Sequence, residues 1–382
     1  MKKAHRIEGL VQSDIRRMTR ECMRVGGINL GQGICDLPTP PEVLEGTQEA
    51  VREDLSIYSK FEGVDPLRAQ LARKMEAHNG RPTDPDTEVV VTIGATGAFA
   101  ATCQALLNPG DEVILFEPFY GYHLNTLLVA GVKPVFVTLE PPNWTIALEA
   151  LEAALTDKTR AILVNTPSNP SGKVFGEAEL SLIAGFCQKH DLLAITDEIY
   201  EYILYDDLKH ISLATLPGMR ERTITISGLS KTFSITGWRL GYAVAVPELA
   251  GPIGLVNDLF YVCAPTPLQH GVARGMARMD DGYYTSLRGI YQAKRELFCG
   301  ALEEAGLTPV WPDGAYYVLA DVSRLGQNTA HDASMHILES VGVASVPGSA
   351  FFRSDVGQKM VRFCFAKELS VLEEACERLK RL

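Results

Sequence analysis

The sequence predicts an α/β protein built on a mainly parallel sheet. Between residues 89 and 246, seven short β-branched runs alternate with helical patterns, which is typical of a sheet covered by helices on both faces. The chain of 382 residues also exceeds the size at which one hydrophobic core stops growing. We therefore expect a large domain with a seven-stranded sheet and a second, smaller domain.

The expected strands of the large domain are residues 89–93, 112–116, 132–138, 161–165, 192–197, 223–227 and 241–246. Helical patterns separate them, for example at 99–107 and 177–190. The first clear helical pattern of the chain is at 41–52, after a Gly/Pro-rich extended stretch at 26–41. These boundaries predict a large domain over residues 46–283.

The pattern changes after about residue 284 to that of a smaller α+β domain. A long helix at 284–305 is followed by a helix at the C-terminus and, between them, by strands near 316–321, 343–346 and 361–365. We expect the N-terminal segment to join this region. The small domain is then discontinuous and consists of residues 1–45 and 284–382.

Charge and cysteine usage exclude several classes of protein. Lys and Arg number 36 against 47 Asp and Glu, and a net charge of −11 argues against binding to nucleic acid or anionic lipid. The eight cysteines form no Cys-x-x-Cys pair, as expected of reduced thiols. Residues 1–13 contain no apolar run, and no stretch approaches a membrane span. We expect a cytoplasmic protein without a signal peptide.

Unusual residues follow four of the expected strands, where ligands collect in parallel sheets. Gly94-Ala95-Thr96-Gly97 precedes a helix and offers backbone N–H groups to an anion such as phosphate, although an ordinary strand-to-helix turn has the same composition. Two prolines between Asn165 and Gly172 make a rigid loop that can aim the Asn169 amide at a ligand. The alternative is a simple Asn-Pro turn.

The other two loops contain an acid and a lysine. Asp197 ends an apolar strand, where a carboxylate requires a cationic partner, and it either caps the next helix, pairs with an arginine or takes part in catalysis. Lys231 lies among small and apolar residues that lower an amine pKa and favour imine formation, although most lysines are solvated on the surface. Arg239 offers a planar fork suited to phosphate.

Taken together, these motifs resemble the class I/II aminotransferases of pyridoxal 5′-phosphate (PLP) fold type I. The resemblance rests on Asn169-Pro170-Ser171-Gly172, Asp197-Glu198-Ile199-Tyr200, Ser230-Lys231-Thr232-Phe233 and Thr236-Gly237-Trp238-Arg239. It extends over nearly the whole chain, from Asn29-Leu30-Gly31-Gln32-Gly33 to Arg362-Phe363-Cys364-Phe365. It implies a PLP enzyme that transfers the amino group of an L-amino acid to a 2-oxo acid by a ping-pong mechanism.

The resemblance also implies a role for each catalytic residue. Lys231 would hold the cofactor as an imine and move the proton between substrate Cα and cofactor C4′. Asp197 would pair with the protonated pyridine nitrogen and keep the ring an electron sink. Tyr200 and Asn169 would hydrogen-bond the ring 3′-oxygen, and Tyr120 would stack on the ring.

Binding of the phosphate and the substrate is implied in the same way. The phosphate would be held by residues of one subunit and by a tyrosine of its neighbour: Ala95, Thr96, Ser230, Arg239 and the partner's Tyr58. Such a shared site implies a homodimer. Arg362 would grip the substrate α-carboxylate, with the Gly33 backbone closing over it. This chain has Gly228 where many members have serine, and Ser227 or Ser230 would then supply the phosphate contact.

Other functions remain as alternatives. A PLP-dependent C–S β-lyase uses the same Lys, Asp and Arg, and a non-catalytic PLP-binding regulator ranks last because a DNA-binding segment is missing. A dinucleotide fingerprint would need a third glycine at Asp36, and the Cys and His spacing gives no metal pattern. Ile34-Cys35-Asp36-Leu37 departs from the family's usual Pro-Asp-Phe and leaves the shape of the substrate-facing strand open.

The donor is approached through residues 258–264, near which aspartate-specific members often place an arginine. This segment contains no arginine or lysine, so neutral or aromatic donors are favoured over dicarboxylic ones. A cation could still reach the pocket from elsewhere, with Arg16 and Arg17 as candidates.

Overall fold

A computed structural model describes residues 4–7, 10 and 14–382. Its α-helices are α1 (Asp14–Val25), α2 (Pro41–Arg52), α3 (Asp65–Ala77), α4 (Gly94–Leu106), α5 (Gly121–Ala130), α6 (Leu148–Ala154), α7 (Glu177–Lys189), α8 (Pro247–Tyr261), α9 (Thr266–Arg278), α10 (Asp281–Glu304), α11 (Ala330–Val341) and α12 (Leu369–Leu379). The expectation that residues 1–13 carry no signal peptide lies largely outside the described residues. Among the helices described, none is long and apolar enough to cross a membrane.

The strands are β1 (Ile28–Asn29), β2 (Val89–Ile93), β3 (Glu112–Glu117), β4 (Lys133–Thr138), β5 (Thr159–Asn165), β6 (Leu193–Asp197), β7 (Thr223–Gly228), β8 (Leu240–Val244), β9 (Thr308–Val310), β10 (Tyr317–Asp321), β11 (Val343–Ala344), β12 (Val346–Pro347) and β13 (Met360–Cys364). The seven strands expected for the large sheet all form it, in the order β2-β8-β7-β6-β5-β3-β4. Only β8 runs antiparallel to its neighbours, so the mainly parallel sheet is confirmed.

The large sheet is buried on both faces. Along β3, Val113 and Leu115 enter one hydrophobic core, whereas Ile114 and Phe116 enter the other. This alternation follows from the two-residue period of a strand, and helices cover each core. The carboxyl ends of the parallel strands consequently form a single edge on which loops and helix N-termini converge.

A four-stranded antiparallel sheet, β12-β13-β10-β9, forms the core of the C-terminal region. The expected strand at 343–346 is wrong as a single element. It breaks at Ser345, whose hydroxyl lies 3.2 Å from that of Ser334, and its two halves join different sheets. β11 pairs in parallel with β1, so the N-terminal segment joins this region, while β12 pairs with β13.

The expectation that the first helix begins at residue 41 is also wrong, because α1 precedes it. Met18 and Cys22 of α1 are buried against Leu338 and Ala344. The α1 sequence includes four arginines, and Ile15, Met18 and Cys22 recur at helical spacing on the opposite face, so the amphipathic pattern was present in the sequence and was missed. Burial of this apolar face against the C-terminal region stabilises the helix.

Candidate active site

The loops at the carboxyl ends of the parallel strands surround a cavity of about 330 Å³. Eleven side chains or backbone positions predicted for the site line it: Gly33, Ala95, Thr96, Tyr120, Asn169, Asp197, Tyr200, Ser230, Lys231, Arg239 and Arg362. Tyr58 does not, and its side chain is 80% exposed on the surface. The residues that the structure brings together come from both ends of the chain.

Lys231 lies just after β7 and faces the cavity. Its Nζ donates to the Gly33 carbonyl at 3.3 Å and lies 5.6 Å from the centroid of the Tyr316 ring. Burial lowers the pKa of the Lys231 ammonium below its ordinary value, and Arg239 and Arg362 lower it further. The shift is in the direction of the neutral amine, the form that attacks a carbonyl.

Gly33 is required by the close approach of the N-terminal segment to β10. A Cβ atom at position 33 would lie 1.8 Å from the Tyr317 hydroxyl oxygen, which is inside van der Waals contact. The Tyr317 hydroxyl in turn accepts a hydrogen bond from Tyr200 at 3.2 Å. Burial raises the pKa of Tyr200 well above its ordinary value, so this phenol stays protonated and remains a donor.

Asp197 ends β6, and its carboxylate is held from two sides. His123 Nε2 lies 2.9 Å from one oxygen, and the Ile199 backbone N–H donates to the other at 3.2 Å. His123 was missed by the sequence reasoning, which required a partner for Asp197 without finding it. One feature of the sequence pointed to His123. It follows Tyr120 by three residues where α5 begins, and in the structure the two rings meet edge to face at 5.3 Å.

Arg362 lies in the middle of β13 with 1% of its surface exposed. Its Nη1 donates to Asn169 Oδ1 at 2.8 Å and its Nη2 donates to the Gly31 carbonyl at 2.6 Å. The guanidinium also stacks on Tyr317, 4.4 Å from the ring centroid. These contacts fix the plane of the fork at the cavity wall, as bidentate recognition of a carboxylate requires.

The opposite end of the cavity is suited to an anion. The predicted loop 94–97 is the first turn of α4 itself, so Ala95 and Thr96 present helix N-terminal N–H groups. Arg239 adopts a left-handed backbone with φ 57° and donates to the Thr96 hydroxyl at 3.1 Å. A non-glycine residue in this conformation is strained, and such strain is found where a side chain must be aimed.

Position 228 is crowded by the side chain of Ile199. A Cβ there would lie 2.8 Å from Ile199 Cδ1, so serine at this position would require the end of that side chain to shift. Of the two proposed substitutes, Ser230 lines the cavity. Ser227 is wrong, because its hydroxyl donates to Glu201 at 2.7 Å, away from the cavity.

Comparisons with known proteins agree with this geometry. The family described as aminotransferase class I and II matches residues 25–379. The chain belongs to this family. It is 38% identical to kynurenine–oxoglutarate transaminase 3 of Homo sapiens over 407 residues, covering 99% of this chain and 89% of the relative.

Two solved structures are also similar to this aminotransferase. N-succinyldiaminopimelate aminotransferase from Mycobacterium tuberculosis has a TM-score of 0.95 at 36% identity, covering 99% of both chains. A protein of Escherichia coli, whose crystal structure and reactivity identified a methionine aminotransferase function, has a TM-score of 0.96 at 31% identity and covers 100% of both chains. The PLP fold type I architecture is therefore confirmed.

Class I and II aminotransferases depend on PLP, and the residues present fit this cofactor. The amine of Lys231 suits its aldehyde, the carboxylate of Asp197 suits its ring nitrogen, and the helix N-terminus beside Arg239 suits its phosphate. The buried Nε of Arg362 has no hydrogen-bond partner among the described residues, so the guanidinium retains donor capacity for a substrate. Of the two arginines considered as additional cations, Arg16 lines the cavity, whereas Arg17 lies 2.6 Å from the Asp14 carboxylate.

Proposed function

We propose that this aminotransferase transfers the amino group of a neutral or aromatic L-amino acid to a 2-oxo acid by a ping-pong mechanism. The observation that carries the proposal is the convergence of Lys231, Asp197 and Arg362 on one cavity. PLP, when bound, supplies the electron sink for the carbanion formed at substrate Cα. Lys231 would supply the base, Asp197 would pair with the ring nitrogen, and Arg362 would bind the substrate carboxylate.

Each role follows from the surroundings of the residue. The amine of Lys231 would take the proton from substrate Cα and deliver it to C4′ of the cofactor. Asp197, oriented by His123, would pair with the ring nitrogen. Tyr200 and Asn169 would hold the ring 3′-oxygen, and Tyr120 would pack against the ring. Arg362 would bind the α-carboxylate and thereby orient the substrate.

The donor preference rests on the walls of the cavity. Phe99, Tyr120, Tyr122 and Tyr317 line it, and residues 258–264 carry no cation. Apolar and aromatic side chains are stabilised by such walls, whereas the short side-chain carboxylate of aspartate would lose hydration there unless Arg16, which also lines the cavity, reached it. The names of the relatives are divided, since kynurenine and methionine transaminases stand beside N-succinyldiaminopimelate and aspartate aminotransferases.

A homodimer with shared sites completes the proposal. The phosphate end of the cavity lacks Tyr58 of its own chain, and Tyr58 is exposed beside Ile57, which is 82% exposed. Leu259 and Phe260 at the end of α8 are also exposed, so large apolar side chains are available for a partner surface. We also propose the two-domain division at 46–283, which the pairing of β1 with β11 supports, and a cytoplasmic location, which the eight free cysteines support.

The test is the half-reaction of the purified holoenzyme with single amino acids. We expect visible absorbance from the lysine-bound cofactor, borohydride reduction fixing it to Lys231, and its conversion to pyridoxamine phosphate by phenylalanine, methionine or glutamine faster than by aspartate. An adduct on another lysine would overturn the assignment. If cystathionine yields pyruvate and ammonia and no donor yields pyridoxamine phosphate, the enzyme is the β-lyase instead.

A further inference from the structure

Tyr317 lines the active-site cavity, but its hydroxyl has no part in the chemistry proposed above. The residue lies on β10, where strand pairing places Leu319 opposite Arg362 of β13. Because side chains two residues apart on a strand share a face, Tyr317 and Arg362 lie diagonally on one face of the four-stranded sheet. The guanidinium carbon of Arg362 consequently lies 4.4 Å from the centroid of the Tyr317 ring.

The Tyr317 hydroxyl is enclosed by two neighbours. A Cβ atom at position 33 would lie 1.8 Å from its oxygen, so the backbone of Gly33 packs directly on the hydroxyl. The hydroxyl oxygen of Tyr200 lies 3.2 Å away, and the two rings are nearly perpendicular, at 87°. Among the described residues, the Tyr317 hydroxyl has no hydrogen-bond partner except Tyr200. The two buried phenols therefore form a pair at the cavity wall.

Only one of the two hydroxyl hydrogens of this pair can lie between the two oxygens. Burial raises the pKa of both phenols above the ordinary value, although the Arg362 guanidinium lowers that of Tyr317, so both are protonated at neutral pH. When Tyr200 donates its hydrogen to the 3′-oxygen of the cofactor, it cannot donate the same hydrogen to Tyr317. The bond between the two tyrosines is then made by the hydrogen of Tyr317.

We propose that Tyr317 is a positioning residue that donates a hydrogen bond to Tyr200 and thereby strengthens the bond that Tyr200 donates to the 3′-oxygen of the cofactor. The inference rests on the proposed function, in which Tyr200 binds this oxygen. Hydrogen bonds in a chain polarise one another, so a hydroxyl that accepts one becomes a better donor. Because Tyr317 also stacks on Arg362, one side chain contacts both the group that binds the cofactor oxygen and the group that binds the substrate carboxylate.

The effect is measured as the pH midpoint at which the lysine-bound cofactor changes its visible spectrum, because its linking nitrogen loses a proton there. Negative charge on the nearby 3′-oxygen is greater once that proton is lost, so a donor to this oxygen favours the unprotonated form and lowers the midpoint. Tyr317→Phe, which keeps the ring, should raise the midpoint by about 0.5–1 pH unit, the range expected for one hydrogen bond. Tyr200→Phe should raise it by a larger amount. The other ionisable groups around Lys231 are the same in every variant and cannot produce the difference: Cys35, Cys364, Arg239 and Arg362.

The double variant that combines Tyr200→Phe with Tyr317→Phe shows whether Tyr317 acts through Tyr200. In the Tyr200→Phe background, Tyr317→Phe should cause no further change of the midpoint. An equal rise in both backgrounds would overturn the inference, as would the absence of a rise from Tyr317→Phe where Tyr200→Phe gives one. No rise from Tyr200→Phe would overturn the role of Tyr200 in the proposed function, and the inference with it.

Tyr291→Phe is the matched control. Tyr291 is buried and does not line the cavity, and its hydroxyl lies 3.5 Å from the sulfur of Cys35, so its loss should leave the midpoint unchanged. Tyr317→Leu removes the ring as well and should raise KM for phenylalanine about 3- to 30-fold, because Arg362 loses its stacking partner. Tyr317→Phe should leave KM nearly unchanged. An equal rise of KM in both Tyr317 variants, or a midpoint shift in Tyr291→Phe as large as in Tyr317→Phe, would contradict the proposed role. Cofactor content and melting temperature verify that each variant is folded.

Discussion

The segment Asp197–Glu201 contributes to two polar clusters that lie side by side and differ in function. Asp197 and Tyr200 open on the active-site cavity, whereas Glu198 and Glu201 point into a closed cluster behind it. Each cluster contains at least one buried carboxylate, a lysine and at least one histidine. The comparison teaches that composition does not distinguish a candidate reactive site from a structural one. The distinction is whether the polar groups face a cavity or face one another inside the protein.

In the closed cluster the carboxylate oxygens are bonded within the protein, although His78 Nε2, Asn79 Oδ1 and His210 Nδ1 have no hydrogen-bond partner among the described residues. Glu201 accepts hydrogen bonds from Ser227 at 2.7 Å and Asn79 at 2.9 Å, and its other partners are Lys74 and Tyr242. Burial would raise the pKa of Glu201, but Lys74, His78 and His210 outweigh it and lower that pKa to about 2. Although the ligand atoms of Glu198, Glu201 and His210 lie within 4.8 Å of one another, their donors already satisfy them, and we interpret the cluster as structural.

The largest effect is expected for Lys231→Ala, which removes a member of the open cluster, that is, the polar side chains that face the active-site cavity. Loss of both the cofactor's covalent attachment and the proton shuttle should lower kcat by at least about 10⁴-fold, which corresponds to about 5.5 kcal/mol. The melting temperature should change little, because the amine has few protein partners. Steady-state kinetics with phenylalanine check this, with Lys209→Ala, an exposed lysine, as the control. Retained turnover would contradict the assignment.

Lys74→Met should have the opposite profile. Removing one partner of a buried ion pair leaves the Glu201 charge uncompensated and should cost about 3–5 kcal/mol of unfolding free energy. Turnover per molecule of bound cofactor should remain close to that of the wild type. Denaturant unfolding and active-site titration measure the two quantities, and Arg73→Met on the exposed side of α3 is the control. A variant that keeps its stability and loses activity would contradict the structural interpretation and would show that the closed cluster also serves catalysis.

Arg362→Lys sharpens the role of the open cluster in substrate binding. A point charge cannot reproduce the fork held by Asn169 and Gly31, so kcat/KM should fall about 100-fold, or about 2.7 kcal/mol. The loss should appear mainly as a higher KM. Cofactor content, read from its absorbance, should be unchanged. Equal loss of bound cofactor would place Arg362 in cofactor binding instead.

The smallest expected effect is a pH dependence of stability arising in the closed cluster. Burial lowers the pKa of His78 to about 4, against about 6.5 in the unfolded chain. Between these values the unfolded state binds more protons, so stability is full above pH 6.5 and declines as pH falls toward 4. His78→Gln should flatten this slope in chemical denaturation at fixed pH values. An unchanged slope would assign it to other groups.

Particular residues show which parts of the fold and of the site could be predicted from the sequence. The seven strands of the large sheet followed from β-branched runs, since a strand buried on both faces must be apolar throughout. Lys231, Asp197 and Arg239 followed from their positions after such strands. Helix α1 was missed although Ile15, Met18 and Cys22 recur at helical spacing, and Met18 and Cys22 pack against α11 and β11. The strand predicted at 343–346 was wrong for a different reason, since the change of pairing partner depends on two separate sheets.

The sequence by itself determined the alternation of elements, the family and the candidate residues of the site, because these depend on local patterns and on fixed motifs. Only the tertiary structure decided which polar groups remain available. Ser227 and Ser230 are equivalent in sequence, yet one is bonded to Glu201 and the other lines the cavity. His123 and Arg16 lie far from Asp197 and Arg362 in the sequence, and only the fold places His123 Nε2 2.9 Å from Asp197 and Arg16 on the cavity wall. Such availability is a property of three-dimensional packing, in which each hydrogen-bonding atom is either filled by the protein or left for a ligand.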